Sequence, residues 1–165
     1  MSRWLANKWL RGTLAIAAGC AVNYLGDRLL GVRMELWWGL IHTFTIPWVL
    51  DVFLVPFLAG TVVGLIYGLG GKWLCYFPPL IVRFWSYIGL MDISRIPEGA
   101  SLLPMGWWGF FVILAVESAA FGGVAGEILV KRTYGRMPRH LYHKAYQAEA
   151  LRRQGTEGAH GEGER

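Results

Sequence analysis

The sequence predicts an all-α fold: a polytopic bundle of about four transmembrane helices followed by a short basic surface helix. Three observations carry that prediction. Apolar residues make up 55% of the chain and charged residues only 16%, whereas a soluble domain carries roughly a quarter charged. Charge is also segregated, since eight of the 16 Lys and Arg fall at or after Lys131 and three at or before Arg11. Between those ends run apolar stretches long enough to cross a hydrocarbon core about 30 Å thick. The 165 residues suit one compact unit.

The first stretch covers Leu10–Leu30, where Asp27 and Arg28 interrupt the apolar run. They are expected at the far interface, paired or reaching water. Arg3, Lys8 and Arg11 ahead of Ala18-Gly19-Cys20 give the segment a faint likeness to a lipoprotein signal. The apolar run continues through Ala21–Leu25, however, so an uncleaved helix is predicted.

The strongest span is Val52–Gly70, which contains no charge. Ahead of it, Trp37–Leu50 is apolar but carries His42, Thr43, Thr45 and Pro47. One straight helix from Trp37 to Gly70 would be about 50 Å long, more than a bilayer needs. A tilted or interfacial half-helix with a kink near Pro47 is therefore predicted, with Trp37, Trp38 and Trp48 at the headgroups.

The third stretch, Trp73–Met91, holds Pro78-Pro79 and Arg83. It is a broken span, a re-entrant segment or a surface helix, and the count falls to three if it does not cross. A polar loop, Asp92–Ser101, leads to the fourth stretch, Met105–Val130, interrupted only by Glu117 and Glu127.

This organisation divides the chain into a transmembrane helical domain (1–132), a basic cytoplasmic helix (133–154) and a disordered tail (155–165). Basic flanks stay on the cytoplasmic side. Both termini are therefore expected in the cytoplasm, which requires an even number of crossings, of a bacterial inner membrane.

Between helices in lipid there is little hydrophobic drive, and small residues that allow close approach take its place. Gly60, Gly64 and Gly68 recur at i+4, as do Ser118, Gly122 and Gly126, with a weaker series at Ala15, Gly19 and Asn23. These stripes are read first as packing among the chain's own helices, and alternatively as an oligomer interface.

Ionisable groups at membrane depth are expensive and need partners. Glu117 lies midway along its span, and Arg83 lies at comparable depth if its segment crosses. An Arg83–Glu117 pair is therefore predicted, either fixing the fold or serving a relay or polar ligand. His42, Thr45 and Asp51 form a second candidate cluster near the outer leaflet, where the alternative to residues reaching water is a bound cation or quinone headgroup.

No cofactor or metal is expected. A transmembrane b-type haem ordinarily takes two histidines, and only His42 lies at membrane depth. Cys20 and Cys75 match no metal or redox spacing. Catalytic and phosphate-binding motifs are absent, and nothing resembles a nucleic-acid-binding signature. The basic tail suits anionic lipid or an acidic partner.

The function expected from these features is that of a non-catalytic accessory subunit of a larger membrane complex, respiratory or photosynthetic. It would be hetero-oligomeric sooner than homo-oligomeric. The alternative is a small oligomeric channel or transporter built on Arg83 and Glu117, and a third reading is a redox subunit using His42.

Overall fold

A computed structural model describes residues 8–68, 70–92, 94 and 96–134. The predicted basic helix beyond 134 and the tail 155–165 lie outside the described residues. The chain is mostly helical, and two of its helices are long and apolar enough to cross a membrane, Ile46–Tyr67 and Met105–Arg132.

Helix α1, Lys8–Leu30, runs unbroken through Cys20. Its carbonyls end on Gly31, whose N–H donates to the Asp27 carbonyl at 3.0 Å. Gly31 adopts φ +64°, a left-handed helix stop that only glycine takes without strain. After a loop, the two-residue strand β1, Leu36–Trp37, leads into a single-turn helix α2, Leu40–Thr43.

The break predicted near Pro47 falls slightly earlier. Thr45 caps α3, Ile46–Val49, by accepting from the Trp48 N–H, and Pro47 sits in the first turn. A proline costs nothing there because its missing N–H would have no intrahelical partner. The helix then continues through a π turn, Leu50–Leu54, into α4, Val55–Tyr67. In the π turn the Val55 N–H bonds the Leu50 carbonyl. Pro56 comes next in that ladder and has no N–H to offer the Asp51 carbonyl.

Gly68, at φ +83°, ends α4. Arg11 supports the same end by donating to the Ile66 and Tyr67 carbonyls, two of the orphan acceptors of a helix C-terminus. A 3₁₀ segment, Gly71–Tyr76, passes directly into α5, Phe77–Leu90. Pro78 and Pro79 are thus not a break. They occupy the first turn of α5, which at 14 residues spans about 21 Å.

The sequence gives no sign of strands, yet β2, Ser101–Leu102, pairs antiparallel with β1, Leu36 opposite Leu102 and Trp37 opposite Ser101. The Leu103 N–H extends the pair by donating to the Glu35 carbonyl at 2.9 Å. The last helix among the described residues, α6, is Met105–Tyr134.

Neighbouring residues set the helix directions. Gly12 lies against Tyr67 and Gly26 against Val55, so α1 and α4 are antiparallel. Helix α6 runs parallel to α4, with Ser118 beside Phe53, Gly122 beside Phe57 and Gly126 beside Thr61. The two small-residue stripes therefore face each other within the chain. A Cβ on Gly60 would overlap the Ala119 carbonyl, and one on Gly122 would overlap the Phe57 carbonyl. A Cβ on Gly64 would come within 3.2 Å of the Gly126 Cα, and the Ser118 hydroxyl donates to the Phe53 carbonyl at 2.6 Å. Gly68 is not part of this contact, because it is spent on the turn.

An apolar cluster of Met34, Trp48, Val52, Leu103, Phe111 and Val112 packs the end of the bundle that carries the β pair. Phe44, Trp48 and Phe111 meet there edge to face, Trp48 at 4.8 Å from each of the other two rings.

Candidate functional site

Arg83, in the middle of α5, is the largest fully buried side chain among the described residues. Its Nη2 lies 2.8 Å from Asp27 Oδ1 and 3.0 Å from Asp51 Oδ2, and its Nη1 lies 3.7 Å from Glu35 Oε1. Nη2 also donates to the Asp51 carbonyl at 3.3 Å, the acceptor that Pro56 leaves without its ladder donor. Each acid arrives from a different element. Asp27 comes from the last turn of α1, Asp51 from the π turn, and Glu35 from the loop that the β pair holds in place. The planar guanidinium suits this task, because its donors fan out to several carboxylates at once.

One cation thus stands among three carboxylates. Moving any of these ions out of water is costly, and pairing offsets that cost only where geometry is good. Glu35 is the least well served. It is fully buried, and neither of its oxygens accepts a hydrogen bond of ordinary geometry. Burial pushes its carboxyl above the usual Glu range, Arg83 and more weakly Ser86 pull it back, and Asp51 adds to the rise.

That shift has a measurable sign. The folded protein holds the Glu35 proton more tightly than the unfolded chain does. The resulting stabilisation is complete below the ordinary Glu value of about 4.3 and fades as pH rises through the raised folded value. Thermal melts in detergent between about pH 4 and 8 should show stability declining as pH rises, and Glu35→Gln should flatten the decline. An undiminished slope in that variant would assign it to another group.

The predicted Arg83–Glu117 pair does not form. Ala115 and Ala119, on either side of Glu117 along α6, are fully buried, and at about 100° per residue Glu117 lies about 200° from each. It is exposed on the outer face, with no hydrogen bond or ion pair among the described residues. Nor do His42, Thr45 and Asp51 gather. Asp51 is buried against Arg83, whereas His42 and Thr45 are exposed and line a separate cavity of about 500 Å³ with Arg33, Trp38 and Pro97.

Two members of the cluster escaped the sequence reading. Asp27 is expected at the interface, paired with Arg28 or reaching water, but it turns inward to Arg83, and Arg28 turns to Tyr24, donating to its hydroxyl at 2.8 Å. The signal was present: Asp27 is the next i+4 step after Ala15, Gly19 and Asn23, all buried. Glu35 has no such signal, since a loop residue follows no helical period.

Beside the cluster opens a cavity of about 640 Å³, whose lining includes Asp27, Arg28, Arg33, Glu35, Ile81 and Trp85. Among the described residues, His, Cys, Asp and Glu form no group of three suited to a metal ion. Comparison with known families, curated proteins and solved structures finds no match.

Proposed function

We propose that this chain is a non-catalytic subunit of a larger membrane complex and docks through the outer face of α6. The observation that carries the reading is Glu117. Phe110, Ile113, Phe121, Val124 and Ile128 are all exposed, and with Glu117 they follow the three- and four-residue spacing of one helix face. A carboxylate in the middle of such an apolar stripe is poorly served by lipid. A partner helix presenting Arg, Lys or a polar donor at that depth would satisfy it.

The membrane placement itself is supported by exposure. Less than half of each candidate span is buried within the chain, 44% and 39%, whereas the core helix of a soluble domain is mostly covered. Four crossings, with α1 and the 3₁₀–α5 segment completing the set, and cytoplasmic termini in a bacterial inner membrane are part of this proposal. So is a respiratory or photosynthetic setting, which the aromatic-rich surface suits.

The test is purification of the tagged protein from its native membrane in mild detergent, followed by native mass spectrometry. Stoichiometric other subunits are expected. Glu117→Gln should lower their retention at least about tenfold, because a buried partner cation loses its counterion, while the melting of the isolated chain stays unchanged. A homo-oligomer, or full partner retention in the variant, would overturn the reading. The second reading, a channel or transporter, draws on the cavity beside the charge cluster. It would centre on Arg83 with Asp27, Glu35 and Asp51, and would require flux from the protein reconstituted alone.

A further inference from the structure

We propose that the cavity beside the Arg83 cluster binds the headgroup of a phospholipid that carries both a phosphate and a primary ammonium. Three features of the cavity argue for this chemistry together.

The inner side is short of cations. Among the described residues the three carboxylates find no ion-pair partner except Arg83. Asp27 lines the cavity with 17% of its side chain exposed and gives one oxygen, Oδ1, to Arg83, while Glu35 lines it too but is enclosed. An ammonium entering the cavity supplies N–H donors and positive charge where both are lacking.

The rim has the opposite character. Arg28 and Arg33 line the same cavity and are exposed. Arg33 makes no side-chain hydrogen bond or ion pair among the described residues, and Arg28 is held only by Tyr24, through its hydroxyl and its ring face. Two guanidiniums at the mouth are suited to a phosphate. A simple cation would be repelled by this rim and a simple anion by the carboxylates within, so a ligand bearing both charges fits.

The wall is apolar. Ile81 and Trp85 line the cavity and are 48% and 80% exposed on the outside of α5, where acyl chains would lie against them. Gly89 also lines the cavity, and a Cβ built on it meets nothing within 4 Å. The space in front of it is open, and a larger residue there enters the cavity without disturbing the helix.

The test is native mass spectrometry of the protein in mild detergent, with phosphatidylethanolamine, phosphatidylglycerol or phosphatidylcholine added in turn. Phosphatidylethanolamine should be retained roughly tenfold over each of the others, the worth of one hydrogen bond to a charged group. Phosphatidylcholine tests the N–H donors, because its ammonium has none. Gly89→Leu should abolish the retention with the melting temperature unchanged or raised, and Asp27→Asn should erase the preference over phosphatidylcholine. Equal retention of phosphatidylglycerol would overturn the proposal in favour of an anion site on the two arginines. Unchanged retention in Gly89→Leu would place the lipid elsewhere on the surface. Binding of soluble glycerophosphoethanolamine as tightly as the lipid would replace the lipid with a free ligand, and no retention of any lipid would refute the site outright.

Discussion

Arg83→Met is expected to unfold the bundle under detergent conditions in which the parent chain is intact, a loss of about 3–5 kcal/mol. The side chain occupies similar volume, so the damage is electrostatic: Asp27, Glu35 and Asp51 stay buried together with nothing to oppose their charge. Arg83→Lys should recover only part of the loss, since a single ammonium cannot reach carboxylates from three elements as a guanidinium fork does. Neutralising the acids in the Arg83→Met background, with Asp27→Asn, Glu35→Gln and Asp51→Asn, should restore most of the stability, because a network removed whole costs far less than one left half-paired. Thermal melts followed by circular dichroism measure all three. A melt of Arg83→Met indistinguishable from the parent would mean that the cluster does not hold the helices.

The second large effect is steric. Gly60→Leu and Gly122→Leu should each prevent α4 and α6 from closing, because even the first added carbon falls on a backbone carbonyl of the facing helix. A backbone atom cannot swing aside as a flexible side chain can. Gly60→Ala should already cost about 1–3 kcal/mol, the range for overpacking a fitted interior. Gly109→Ala supplies the control: its added carbon meets nothing within 4 Å, and Ala is the better helix former by about 1 kcal/mol, so that variant should be neutral or stabilised. Protease resistance in detergent, read beside the melts, separates an opened bundle from a merely softened one. Equal effects at Gly60 and Gly109 would sink the assignment of this face as the α4–α6 contact.

These particulars show which parts of the molecule can be read from residue order alone. Helical small-residue stripes are legible because a period of about 3.6 puts every fourth side chain on one face, and the facing of Gly60 and Gly64 on Gly122 and Gly126 follows that logic. Depth is legible too. Glu117 sits at the level of the charge cluster, its neighbour Ser118 touching Phe53 two residues from Asp51. Azimuth is not. Nothing in a lone acid says which way round its helix it points until the neighbouring positions are known, and Ala115 and Ala119 turned out to claim the inner side. Pro78-Pro79 misled for another reason, since a proline pair breaks a helix only where the N–H groups it lacks would have found an acceptor within the helix. Glu35 and the β pair depend on contacts between residues about 65 apart in the chain, which no local pattern records.

The strand pair carries a consequence for biogenesis. Asp27, Asp51 and Arg83 all precede α6 in the chain and can meet as soon as α5 has formed. The loop bearing Glu35 is fastened only when Leu102 and Leu103, at the threshold of α6, come into register with it. The third acid is therefore secured last, when α6 docks. Arrival of α6 both closes the glycine seam along α4 and locks Glu35 in place. Completion of the charged centre thus reports that synthesis has reached α6.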